Sequence, residues 1–284
     1  MKQNLKTGRK KILKILIGVF LIIVCFIVLF PFLWMLTNSI KTKDEIWAIT
    51  PQFLPEVPQW GNYIKAFSDG KMLVYMWNSI YTSLIITIIT LINSSLFAYA
   101  ITCLQFRLKK FIWLMVLGAY IIPAAATNIP SYIILARSGL LDTHFGYIAS
   151  CCVSVFNIFY FRQSFRQIDY TLVEAAKVDG AKNLSIFLKI FVPMTVPSYI
   201  TLGILGFIQN YNSYVWPSLI LKSESKYLVS MGVRAFFSAE GAYGMEWGAI
   251  MAACCVIIGP LLLLFFICEK WIMKTITSDT SIIG

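Results

Sequence analysis

Between residues 74 and 106 the chain carries no charged side chain. A run of that length points to a bilayer, because about 20 apolar residues in a helix cross the ~30 Å of hydrocarbon. Further apolar runs lie at about residues 15–36, 111–135, 146–161, 197–220 and 248–272. In lipid every backbone group must be satisfied internally, which a helix does alone. The expectation is an all-α, polytopic membrane protein with six transmembrane helices. Only 13% of the residues are charged and 58% are hydrophobic, against about 25% charged in an ordinary soluble domain. No stretch resembles a soluble domain with its own core, so one membrane domain is expected at residues 15–272.

The first run lacks a small-residue cleavage site and is longer than a signal-peptide core, so it reads as an uncleaved span. Ahead of it, residues 1–14 hold six Lys or Arg and no acid, which marks a cytoplasmic basic tail. Six spans return the chain to the same side, making residues 273–284 a second cytoplasmic tail. On this drawing, with Lys270 at the end of the last run counted to the tail, 16 of the 24 Lys and Arg lie inside. Two neighbouring pairs of loops run against the rule, but the totals and the basic amino end favour this topology over its inverse. The net charge of +11 then faces the cytoplasm, and nucleic-acid binding is unnecessary to explain it. Residues 37–73 read as an outside loop hugging the interface, with Trp47, Pro51, Pro55, Pro58 and Trp60. Pro123 and Pro130 in the third run imply either a helix break facing a cavity or a buried kink.

No GxxxxGK[ST] phosphate loop, HExxH, GxSxG or intramembrane acid pair occurs. A hydrolase would need such a constellation, so the chain is read as a non-enzyme that binds no cofactor or metal. The seven cysteines sit in or beside apolar runs without a CxxC pair and read as small packing residues.

One stretch breaks the apolar pattern. Residues 171–197 carry Glu174, Lys177, Asp179, Lys182 and Lys189, which hydrocarbon would not accept unpaired, so the stretch belongs in water at a membrane face. Thr171 followed by Glu174 fits a capping box, and Gly180 is placed as a left-handed terminator. Between them lie about eight residues, ~12 Å of helix, too short to hold in water alone. It rests either on its own membrane domain or against another protein, to which Leu172, Ala175 and Ala176 offer a small apolar patch.

A second patch, residues 207–220, places Gln209, Asn210 and Asn212 among Tyr211, Tyr214 and Trp216 inside a span. Such amides bond to other helices, with the rings as an interfacial belt, or they line a passage where rings stack on sugar faces and amides read hydroxyls.

The pattern Glu174-Ala175-Ala176, three residues, Gly180, nine residues, Ile190, one residue, Val192-Pro193 resembles the cytoplasmic signature loop of ABC-importer permeases, with Val192 where Leu is usual. Asp179-Gly180-Ala181 matches the form common in the carbohydrate, maltose-type branch. Asn212 with Trp216-Pro217, and Trp247 to Ala253 before the last span, are similar to segments of that branch. The chain departs from it at Glu269, Thr275, Asp279 and Ile282.

The resemblance implies a type I importer transmembrane domain in a bacterial inner membrane. It implies a second, homologous permease, two ATPase subunits carrying ATP and Mg, and an extracytoplasmic solute-binding protein approached by residues 222–246. Glu174, Ala175, Ala176, Asp179, Gly180, Ile190 and Pro193 would couple to the ATPase through a loop at about 162–195. Gln209, Asn210, Tyr211, Asn212, Tyr214 and Trp216 would lie on the substrate pathway. The rival readings are a permease for glycerol-3-phosphate or a related polyol phosphate, for which the expected spans hold no Arg or Lys apart from Lys270 near the end of the last, and a non-ABC channel or embedded enzyme.

Overall fold

A computed structural model describes residues 2–68, 71–239 and 246–280. The side chains of residues 2–12, 68, 124, 235–239 and 272–280 are outside that description, as are the departures expected at Thr275, Asp279 and Ile282. The described residues form helices and turns with no strand. The chain divides into two compact units, residues 1–72 with 235–258 and residues 73–234 with 259–284.

In the first unit, α1 (Lys2–Asn38) runs through the expected basic tail and first span without a break. Over residues 13–33 of its apolar part no side chain is buried among the described residues, as suits a helix whose surroundings are lipid or another subunit, whereas Thr37 and Asn38 at its end are buried. Just beyond it Lys41 is only 2% exposed. Its ammonium donates to Asn38 Oδ1 at 2.9 Å and the Gln52 carbonyl at 2.6 Å, and lies 4.8 Å over the Trp34 ring. Burial lowers its pKa against the opposing pull of Glu45.

The short α2 (Lys43–Ile46) starts at a full capping box between Thr42 and Glu45, and α3 (Gly61–Ser68) follows. Asn62 donates to the Ser39 and Lys41 carbonyls, Lys65 pairs with Glu246 at 2.8 Å, and Trp47 meets Trp247 edge to face. A Cβ at Gly248 would collide with Asn62 and the Lys41 carbonyl. The expected interface-hugging loop is thus a folded collar.

The second unit is built on α4 (Met72–Cys103), the charge-free run. Ser79, Thr82, Ser83, Thr87, Thr90 and Ser94 are buried along it, a stripe of small hydroxyl residues that lets neighbouring backbones approach. At its end Lys109 donates to the Thr102 and Leu104 carbonyls, closing the orphan acceptors of a helix terminus.

The third and fourth apolar runs, expected as plain spans, are broken pairs. α5 (Lys109–Ile121) and α6 (Ala124–Arg137) meet at 106°. Pro123 causes the break: it has no N–H to donate and forces Ile122 into extended backbone, observed at ψ 121°. Both Pro123 and Pro130 are exposed in this chain, and Pro130 lies inside α6 without ending it.

α7 (His144–Ser150) and α8 (Val155–Arg166) meet at 46°. Side chains of α4 reach the carbonyls around that break: Asn93 donates to Cys152 at 3.2 Å, Ser94 to Ser154 at 3.4 Å beside the Ile158 N–H, and the Thr90 hydroxyl, bonded to the Ile86 carbonyl at 2.6 Å, lies 3.3 Å from the Cys151 carbonyl. Because α8 continues past the expected end at Phe161, Arg162 belongs to the same helix, its guanidinium 4.0 Å from the Trp113 ring centre.

After α9 (Tyr170–Val178) and α10 (Asn183–Ile186), a π-helical turn (Phe187–Phe191) leads through α11 (Val192–Met194) into α12 (Val196–Tyr211), with a 76° bend between the arms. The expected fifth span at 197–220 ends at Tyr211; α13 (Val215–Ile220) is separate, followed by α14 (Val229–Ala239) and α15 (Trp247–Thr280). α1, α4 and α15 are long enough to cross a membrane unbroken, and the crossings number six if each bent pair counts once.

Candidate functional site

The charged stretch folds as the short helix α9, but it starts differently from the capping-box expectation. Asp169, not Thr171, is the N-cap; its Oδ1 accepts the Thr171 N–H at 3.0 Å. That N–H, together with the Thr171 hydroxyl, lowers the Asp169 pKa. Asp is the stronger cap of the two residues, which moves the cap two positions ahead of Thr171 and leaves Glu174 exposed at the surface.

The other end is as expected. Gly180 has φ +78°, its N–H bonds to the Lys177 carbonyl at 3.0 Å and the Ala181 N–H to the Ala176 carbonyl at 2.9 Å. Those two bonds make a complete Schellman motif, with Asp179 as the C-cap residue.

Between the caps, Val173 is the buried residue of α9, 1% exposed. It drops into an aromatic cluster of Tyr99, Phe161, Phe165, Phe187 and Phe191. Ala176 and Ala181 pack against the same cluster, so Ala176 faces its own domain and does not belong to the outward patch expected of it. The outward face is Leu172, Ala175 and Val178, and Val178 stands 87% exposed. The helix therefore rests on its own unit along one side and presents apolar surface on the other.

Ile190 and Val192 also pack on the cluster, whereas Pro193 is exposed. Pro193 cannot supply the helical N–H to the Lys189 carbonyl, and the chain takes a π turn there instead, with the Val192 N–H on the Phe187 carbonyl. Pro197 sits in the first turn of α12, and the Thr195 hydroxyl closes the elbow on the Phe191 carbonyl at 2.7 Å. Tyr99, near the end of α4, donates to the Asn183 carbonyl at 3.0 Å. Phe161 of α8 lies 4.5 Å from Tyr199 of α12. Three helices thus hold the base of the loop through rings.

The second patch divides. Tyr211 is buried, Asn210 Nδ2 reaches Thr87 Oγ1 at 3.4 Å and Trp216 Nε1 donates to Ser150 at 2.9 Å. Gln209 and Asn212 are exposed. The Tyr214 ring lies 5.4 Å from the Arg234 guanidinium.

Near this patch a polar knot ties two turns together. The Asp142 carboxylate accepts the backbone N–H groups of Lys222 and Ser223 at 2.9 Å, the Ser223 hydroxyl, and the Lys226 ammonium at 3.1 Å. These bonds, the Ser223 hydroxyl first, hold its pKa well below the usual carboxylate range. His144 bridges the Tyr81 hydroxyl and the Lys226 carbonyl.

The pattern of the family described as "Binding-protein-dependent transport system inner membrane component" matches residues 4–278, nearly the whole chain. The chain belongs to that family. It is 31% identical over 245 residues to the lactose transport system permease protein LacG of Rhizobium radiobacter, covering 86% of this chain and 88% of that one. It is 26% identical over 276 residues to the arabinooligosaccharides transport system permease protein AraQ of Halalkalibacterium halodurans, covering 96% and 98%. Its fold matches a chain in the crystal structure of a bacterial ABC transporter involved in the import of the acidic polysaccharide alginate, with a TM-score of 0.82 at 22% identity over 92% of this chain and 96% of that one. The six-span, type I reading of the broken helix pairs follows from the family and that fold.

Asp169, Val173 and Tyr99 escaped the sequence reading. Asp169 could have been found, since Asp-Tyr-Thr offers a better cap than Thr171. Nothing in the sequence marks which apolar residue of α9 turns inward.

Proposed function

We propose that this inner-membrane chain is the translocation subunit of an ATP-driven carbohydrate importer. It would work with a second permease, an ATPase pair that carries the nucleotide, and an extracytoplasmic solute-binding protein. Both termini would be cytoplasmic, as the basic residues 1–14 suggest. The observation that carries the reading is α9: capped at both ends, anchored by Val173 and presenting Leu172, Ala175 and Val178 outward. A helix held this way moves as one body.

Closure of the ATPase dimer would push on that outward face. The aromatic cluster would pass the displacement to α4, α8 and α12, because packed rings transmit strain and do not absorb it. Glu174 and Asp179 are exposed beside the face and would orient the docking. Gly180 permits the turn, and Ile190 and Pro193 set the returning arm. The sugar class is supported by the lactose and arabinooligosaccharide relatives and by the amide-and-ring patch around Gln209 and Asn212. Of the six pathway candidates, those two are the best placed to meet solute from this chain.

Substituting Gly180→Leu tests the reading. Membrane insertion should persist while ATP-dependent sugar uptake and co-purification of the ATPase fall together. Normal uptake without any ATPase partner would refute it.

A further inference from the structure

The two arms of the loop that carries α9 flank a half-open cavity of about 510 Å³, within the ~300–1,000 Å³ usual for small-molecule sites. One wall is the end of α8, with Tyr160, Gln163, Ser164 and Gln167; the other is the elbow at Met194, Pro197 and Ser198. Ser164 and Ser198 bridge the walls through their hydroxyls at 2.9 Å. Gln163 and Gln167 lie one helical turn apart, hence on one face, and among the described residues neither carboxamide is engaged with the rest of the chain. A half-buried, uncommitted amide beside a tyrosine ring is suited to read a hydroxyl while the ring covers an apolar sugar face. No lining residue is charged, so a phosphate or uronate would find no counter-ion here.

We infer that this cavity binds one neutral mono- or disaccharide on the coupling-loop side, apart from the patch around Gln209. The inference rests on the importer reading for the class of solute. A bound sugar would span the α8 wall and the elbow, so its occupancy would hold apart or clamp the two arms that α9 must move. Sugar accumulating on that side would thereby slow its own import.

The test uses the full chain in inside-out membrane vesicles, as Met194→Cys and as Phe159→Cys, two exposed residues of the cavity walls to which no sugar contact is assigned. A hydrophilic maleimide reports the introduced thiol, with the wild-type chain correcting for its own cysteines. A panel of neutral mono- and disaccharides should include one that slows labelling by about tenfold at ~10 times its Kd, by mass action. Glycerol-3-phosphate should leave the rate unchanged.

Labelling unaffected by every sugar, labelling slowed equally by glycerol-3-phosphate, or an introduced thiol that never reacts would each overturn the site. Uptake by right-side-out vesicles separates the two claims. A sugar that is transported yet never protects refutes the cavity and leaves the importer reading intact. Protection without uptake of any sugar refutes the importer reading and supports the cavity.

Discussion

Val173→Ala is the perturbation that best isolates the role of α9. The helix spans nine residues and buries Val173 alone, so its grip on the aromatic cluster depends heavily on that side chain. Removing two methyl groups from a fully covered site costs about 1.6 kcal/mol in transfer at ~0.8 per carbon, plus a cavity contribution that brings the loss to ~2–2.5 kcal/mol. At ~1.4 kcal/mol per tenfold, the undocked population should rise roughly 30- to 60-fold. The caps at Asp169 and Gly180 stay in place, so α4, α8 and α12 should keep their packing.

Hydrogen exchange read by mass spectrometry on the purified chain should show faster exchange across residues 170–181 and no change in α4. In the reconstituted assembly, ATP hydrolysis should continue while sugar moved per ATP drops. Unaltered exchange in α9, or uptake and hydrolysis falling in strict proportion, would refute the idea that Val173 joins the helix to the transmembrane body.

Gly180→Ala should cost ~1–2 kcal/mol through its left-handed backbone and weaken retention of the ATPase on an affinity column, with insertion unaffected. Asp142→Ala should free the turn at residues 222–226 and speed its cleavage by an external protease, because four donors lose their acceptor. The pH dependence has a definite sign: a carboxylate with lowered pKa contributes fully above its unfolded value of about 3.9. The wild-type turn should therefore be equally protected at pH 7 and pH 5 and lose protection only below about pH 4. Asn93→Leu, which takes the side-chain donor from the Cys152 carbonyl, should destabilise by about 0.6 kcal/mol and no more than ~1.7, seen as a small drop in Tm in detergent.

The reach of the sequence was set by how local each signal is. Hydropathy is summed over ~20 residues, so the six crossings were legible, and Gly180 was legible because a left-handed backbone position admits few other residues. What the string concealed were the breaks. Pro123 announced a disruption without its size, and nothing in residues 151–154 declared that Thr90, Asn93 and Ser94, some sixty positions earlier, would lie against their carbonyls. Ala175 and Ala176 look identical in sequence, yet one turns to solvent and the other to the rings, a distinction fixed by where Asp169 starts the helix. The amides of residues 209–212 were visible as anomalies, but their division into engaged and exposed depended on the partner helix.

The π turn at Phe187–Phe191 sets a requirement of phase on the protein. Each residue added to or removed from a helix rotates all that follows by about 100°. The nine positions separating Gly180 from Ile190 thus act as a length standard, setting which sides of Phe187, Phe191 and Ile190 arrive at the rings. Many exchanges of residue type there should be survivable, while a single insertion or deletion should turn the returning arm away from its seat and leave a well-inserted transporter that burns ATP to no purpose.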